Sequence, residues 1–185
     1  MTNLIKKGLD NVTEFLQPSN PVLSIMEGAV LFGIEPATIN IRKAKYTIGK
    51  ASNKIWNEQI HAGKGKKYVG EITGNEYCEN CFSKFITINQ DLKYGEEISQ
   101  FGYPRYKDQH NFYFCFYKTE KTDPIFIFEG GITKIGECVL EISEEFQKYE
   151  DKKIRVIMKF GGTFIDAVAI HEKSGKSVKT TLRFD

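Results

Sequence analysis

The sequence predicts a mainly β protein with N-terminal helices, an α+β chain whose larger part is an antiparallel β-sandwich. Three observations carry that prediction. Apolar residues recur at helical spacing up to Phe32, the period changes to two after Pro36, and from there turn residues punctuate the chain at short intervals. The first helix is read over Leu4–Leu16, where Leu4, Ile5, Leu9, Val12, Phe15 and Leu16 share one face and Lys6, Lys7, Asp10, Asn11 and Glu14 the other. The second opens on Ser19-Asn20-Pro21, with Asn20 as N-cap and Pro21 at the first helical position. It runs about Val22 to Phe32 and closes on Gly33. Its apolar residues cover more than one stripe, so the expectation is a helix packed on most sides against a larger parent domain.

Strands are expected near 38–42, 45–50, 66–72, 82–88, 96–103, 111–118, 124–128, 132–142, 153–160, 164–172 and 177–184. The last three form the clearest pattern. Ile154, Val156, Met158 and Phe160 alternate with charged residues, Gly161-Gly162 supplies a turn, and Lys173-Ser174-Gly175-Lys176 returns the chain into Val178, Thr180, Leu182 and Phe184. That reads as an antiparallel meander with one buried face. The division expected is 1–40 for the helical part and 41–185 for the sandwich, with the Gly/Lys stretch His61–Lys67 as a loop.

Composition bounds the functions. The 185 residues hold 26 Lys plus Arg against 24 Asp plus Glu, a net charge of +2, which draws the chain toward neither nucleic acid nor anionic membrane. No apolar run has the roughly 20 residues that span a bilayer, and the reading is a soluble, cytoplasmic protein whose four cysteines are reduced thiols.

Catalytic chemistry is not legible. His61, His110 and His171 stand in unrelated segments without a nucleophile elbow and read as surface or turn residues. Gly175-Lys176-Ser177 copies the tail of a phosphate-binding loop, but Ile170 replaces its first glycine; Gly63-Lys64-Gly65 lacks the third glycine of a dinucleotide fingerprint. Cys78-Glu79-Asn80-Cys81 has zinc-knuckle spacing that Cys115, Cys138 or His110 would complete, yet one CxxC without a partner pair does not establish a metal site and none is assigned. The run Asn111-Phe112-Tyr113-Phe114-Cys115-Phe116-Tyr117 is aromatic on both faces. Either both faces are covered, or one lines a groove for an apolar ligand, with Phe101 and Tyr103 of a neighbouring strand as its other wall.

Pro21-Val22-Leu23-Ser24-Ile25-Met26-Glu27-Gly28-Ala29-Val30-Leu31-Phe32-Gly33 resembles the last nucleotide-side helix of the heat shock 70 kDa chaperones. The variant Glu-Gly-Ala-Val-Leu-Phe-Gly looks like the divergent 12A/12B-type branch. Downstream, Tyr46-Thr47-Ile48-Gly49 resembles the first strand of that family's substrate-binding β-domain and Phe82 to Gly95 its second strand and loop. Ile135-Gly136-Glu137-Cys138-Val139-Leu140-Glu141-Ile142 is similar to its Leu-Gly-x-Phe-x-Leu strand, and Ile154 to Asp185 to its closing meander.

The resemblance implies that 1–40 is the end of an actin-like ATPase lobe and 41–185 a substrate-binding β-sandwich, with 53–81 an insertion of about 29 residues in place of a short loop. It implies extended hydrophobic peptide or unfolded segments as partners, with Ser52, Phe101, Tyr103, Phe112 and Phe114 as contacts chosen by strand phase. ATP with magnesium is the cofactor of the intact family. Its phosphate hairpins and adenosine loop belong before Leu4, and its acidic residue after the helix-opening proline is Val22 here. Asn20, Pro21 and Gly28 are then the nucleotide-side residues, and the expectation is a truncated chaperone-like chain that is not an enzyme. The rival reading is an interaction scaffold or decayed fragment that binds no peptide.

Overall fold

Helix α1, Pro21–Ile34, starts where its cap places it. Asn20 holds an extended backbone, its side-chain oxygen accepts the Leu23 amide at 3.2 Å, and Pro21 occupies the first turn, where no amide is needed. The helix closes as the Glu35 amide donates to the Leu31 carbonyl at 2.8 Å. The structure is a computed structural model that describes residues 18–35, 41–160 and 164–184; the expected helix Leu4–Leu16 and the turn Gly161-Gly162 lie outside them. The chain divides into two compact units, Met1–Thr38 and Ile39–Asp185. No described side chain of α1 is buried, although Val22, Ile25, Met26, Val30, Leu31 and Ile34 are large and apolar. Its apolar residues go round the axis rather than along one stripe, the pattern of a helix that needs partners on several sides.

The second unit is built of strands. In chain order they are β1 (Ile41–Lys43), β2 (Thr47–Ile55), the one-turn helix α2 (Glu58–His61), β3 (Lys67–Val69), β4 (Glu76–Ile86), β5 (Asp91–Lys93), β6 (Glu97–Gly102), β7 (Asn111–Thr119) and β8 (Ile132–Glu141). After a 3₁₀ turn at Tyr149–Lys152 follow β9 (Ile154–Lys159), β10 (Ile165–His171) and β11 (Ser177–Leu182). They form a five-stranded sheet in the order β3-β4-β2-β7-β8, a four-stranded sheet β11-β10-β9-β6 and a two-stranded ribbon β1-β5, and every pairing is antiparallel. One core joins the two larger sheets. Ile48, Phe85, Phe112, Phe114, Phe116 and Leu140 on one side meet Ile154, Val156, Met158, Ala167, Ala169 and Leu182 on the other, all buried. The expected β-sandwich and its closing meander are therefore present, and the Gly175 turn, with φ 72°, joins β10 to β11.

Three readings change. Residues 124–128 are not a strand: Phe126 makes a single bridge to Cys81, and the Glu129 carboxylate accepts the Ile125 and Phe126 amides at 2.7 and 2.8 Å, which bends the segment into a turn. The loop expected over His61–Lys67 is bounded by regular structure at both ends, since His61 ends α2 and Lys67 opens β3. Asn53–Ile55 continue β2 and Glu76–Cys81 open β4, paired as Lys54↔Cys78 and Ile55↔Tyr77, so segment 53–81 is a long hairpin tipped by α2 and β3. His61 and His171 are buried rather than surface residues, while His110 is half-buried. His171 takes one partner from its own turn and one from distant chain, with Nδ1 2.7 Å from the Ser174 hydroxyl and Nε2 2.5 Å from the Asp151 carbonyl.

Close packing within the five-stranded sheet is testable at one glycine. A Cβ on Gly49 would overlap the Phe82 ring and lie 2.5 Å from the Ser83 carbonyl oxygen, on backbone of β4 that has no room to retreat. Gly49→Ala is expected to lower the unfolding free energy by about 1–3 kcal/mol. A urea midpoint equal to that of the parent chain would show that β2 and β4 can part without cost.

Candidate functional site

Strand alternation sorts the aromatic run of β7. Phe112, Phe114 and Phe116 point into the core, whereas Tyr113 is 72% exposed. One face is thus covered and the other is solvent. Where β7 begins, the covered face borders a cleft of about 520 Å³. Phe112 and Phe114 reach it together with Lys50–Asn53 of β2. Phe101 and Gly102 close it from the end of β6, followed by Tyr103, Pro104, Arg105 and Tyr106. Tyr68, Ile72, Thr73 and Tyr77 come from the lengthened hairpin, and Tyr149 from the 3₁₀ turn.

All five residues expected to contact peptide, Ser52, Phe101, Tyr103, Phe112 and Phe114, line this one cleft. Their placement differs from the expectation in one respect. Phe101 and Tyr103 do not neighbour β7 within a sheet: β6 pairs with β9 in the opposite sheet, so the two sheets contribute facing sides. Phe101 and Tyr103 are each 48% exposed, with the Lys153 ammonium 3.7 Å from the Phe101 ring centre and Tyr103 stacked on Tyr149 at 5.5 Å. Phe112 and Phe114 are core residues that show the cleft only an edge. Asn20, Pro21 and Gly28 belong to the other unit. Asn20 is engaged in capping α1, Pro21 starts it, and Gly28 lies in its middle with open space around.

The charge of the cleft was not read from the sequence. Lys50 is 3% exposed, and burial, with a smaller contribution from Lys54, lowers its ammonium from the ordinary 10.5 to about 8. Its strand phase is that of Ile48 and Ser52, which was the available signal. Arg105 lies 3.8 Å over the Tyr68 ring and donates to Glu79 at 2.5 Å. That hydrogen bond holds the Glu79 carboxyl below the usual carboxylate range against the opposing effect of burial. Burial raises the Tyr68 phenol. Among the described lining residues none is acidic. The cleft therefore combines aromatic rings with the cations of Lys50 and of Arg105, the latter already paired with Glu79, a set suited to an extended ligand with apolar and anionic groups.

A second concentration of chemistry lies in the hairpin. Cys78 and Cys81 are buried with Phe126 in a small cluster of their own, against which Trp56 packs. The residue that joins them is His61 rather than Cys115, Cys138 or His110. Cys138 is instead part of the main core. Burial pushes the Cys78 thiol up to about 11 and lowers the His61 imidazole, with Lys54 adding to the latter.

Fold and site together define the class: a two-sheet antiparallel β-sandwich with an aromatic, cation-bearing cleft bounded by both sheets and a hairpin extension. No family model matches the chain. It is similar to the curated heat shock 70 kDa proteins of the 12A and 12B type. Heat shock 70 kDa protein 12A of Mus musculus is 30% identical over 169 residues, and that of Homo sapiens 29% identical over 169 residues. Heat shock 70 kDa protein 12B of Homo sapiens is 26% identical over 175 residues. Each match covers 90% of this chain and 25% of the relative, so the chain spans about a quarter of the length of the curated relatives it matches. Among the described residues no helix is long and apolar enough to cross a membrane.

Proposed function

We propose that the sandwich is a chaperone-like peptide-binding module, which holds an extended segment with apolar side chains and a carboxylate in the cleft. The observation that carries this reading is the convergence of Ser52, Phe101, Tyr103, Phe112 and Phe114 on one cleft that also holds Lys50 and Arg105. An extended peptide offers alternate side chains to rings, and Phe101 and Tyr103, each about half exposed, have the faces to receive them. A carboxylate on the peptide would meet Lys50. The likeness to the 12A and 12B proteins supports a chaperone-like relationship, and catalysis has no part in this reading.

The test is fluorescence anisotropy with a labelled peptide of Leu, Phe and one Glu. Binding near micromolar is expected, about −8 kcal/mol. Tyr103→Ala is expected to weaken it by roughly 1–3 kcal/mol, because a half-exposed ring is removed without opening the core. A peptide that the parent chain does not retain at all, or that Tyr103→Ala retains equally, would overturn the assignment. The scaffold reading has one observation in its favour, the burial of Phe112 and Phe114, and it would then stand.

A further inference from the structure

The cleft makes no use of Cys78, Cys81 or His61, although these are chemically the most distinctive side chains of the hairpin. In an unbroken strand residues i and i+3 face opposite sides of the sheet. Here Asn80 sits between the cysteines at φ 58°, in the left-handed region, and the register against β2 shifts between Ser52 and Lys54. That bulge turns both sulfurs to one side. The backbone holds it there: the Glu79 amide donates to Lys66 at 3.0 Å, the Phe82 amide to Ile125 at 2.7 Å and the Ile127 amide to Asn80 at 3.0 Å. α2 then delivers His61 from a segment 17 residues before Cys78 (78 − 61).

A ring nitrogen of His61 and the two sulfurs all lie within 4.8 Å of one another, and all three residues are buried. We propose that His61, Cys78 and Cys81 form a zinc site that staples the hairpin extension to the sheet. Tetrahedral zinc, with bonds of about 2.3 Å to sulfur and 2.0–2.1 Å to nitrogen, needs ligand atoms about 3.5–3.8 Å apart, so the group has to contract by about 1.3 Å at most. Two thiolates and an imidazole select zinc over magnesium or calcium. The surroundings are shaped for a shielded centre. The His61 ring lies between Trp56 at 5.5 Å and Phe126 at 5.9 Å, and a side chain on Gly65 would overlap the Cys78 sulfur. Three protein ligands leave the fourth position to water. The Asn57 amide now donates to His61 Nδ1 at 3.0 Å. A metal on Nε2 puts the ring proton on Nδ1, and a metal on Nδ1 takes its lone pair, so ligation opens that contact by either route.

The site has an electrostatic and mechanical link to the cleft through Glu79, which stands between the cysteines and pairs with Arg105. The staple rests on residues apart from the peptide contacts, so its test is independent of peptide binding. The full chain, purified with reductant, is titrated with cobalt(II) and then zinc. The parent protein is expected to take up one cobalt, with thiolate-to-metal charge-transfer absorption and tetrahedral d–d bands that zinc abolishes. Cys78→Ser and Cys81→Ser are each expected to weaken cobalt binding by roughly 100-fold or more, beyond the 10–100-fold of outer-shell changes, and Cys115→Ser to leave it intact. Zinc is also expected to slow amide exchange across 57–81 and to shift the Asn57 amide resonance. A parent chain with free thiols and no thiolate–cobalt band overturns the proposal whether or not the serine variants fold. So does a Cys78–Cys81 disulfide in the reduced preparation, or cobalt bound by both serine variants as tightly as by the parent chain.

Discussion

Phe114→Ala should cost the sandwich about 3–5 kcal/mol of stability, the range for emptying an aromatic site in a closed core. The sequence alone made this residue a binding contact. The structure makes it chiefly a core residue, buried between the sheets beside Phe112 and Phe116, with Gly102 of the opposite sheet packed against its ring. A Cβ on Gly102 would lie 3.4 Å from that ring, so the neighbour across the sandwich at this point has no side chain with which to fill the space the alanine variant leaves. Chemical denaturation reads the loss directly as a shift of midpoint at constant slope. A loss below about 1 kcal/mol would mean that the cleft, rather than the core, is the true environment of Phe114.

Lys50→Met should stabilise the chain at neutral pH, by as much as about 3 kcal/mol, and should remove the preference for acidic peptide. The sign follows from the folded-state ammonium standing at about 8 instead of 10.5. Below pH 8 both folded and unfolded chains carry the proton, and the penalty for a buried charge is fully present. Between 8 and 10.5 the unfolded chain binds more protons than the folded one, so stability rises with pH; above 10.5 both are neutral and the penalty has gone. A gap of about 2.5 pH units at 1.36 kcal/mol each sets the upper figure. In the parent chain, affinity for the Glu-bearing peptide is expected to fall as pH rises through 8, because the ammonium that meets the carboxylate is lost. Stability and peptide affinity that are flat from pH 7 to pH 10 would show that Lys50 reaches solvent and takes no part.

Much of this was legible because it is local. Asn20 and Pro21 start a helix by chemistry confined to one turn, and β9, β10 and β11 alternate over a period of two with a glycine at the turn. Likeness to a known β-domain supplied the order of strands, and strand phase supplied Ser52, Phe101, Tyr103, Phe112 and Phe114 as neighbours. Where periodicity misled at Pro124–Phe128, a side chain of the next residue had decided the matter. Pro124 to Phe128 has the apolar content of a strand, yet the Glu129 carboxylate takes the amides that a strand partner would need. The short β5 has no pattern of its own and exists because β1 pairs with it.

By itself the sequence determined the class of fold, the positions of most strands, the capped helix and the faces that side chains take along each strand, since all of these follow from periodicity and turn chemistry within a few residues. Only the tertiary structure decided which sheet each strand joins, that β6 faces β7 across the sandwich, that Lys50 is buried in the cleft, and that His61 rather than another donor meets Cys78 and Cys81. Those outcomes depend on pairings between residues tens of positions apart, whose energies come from burial and desolvation that no local pattern encodes.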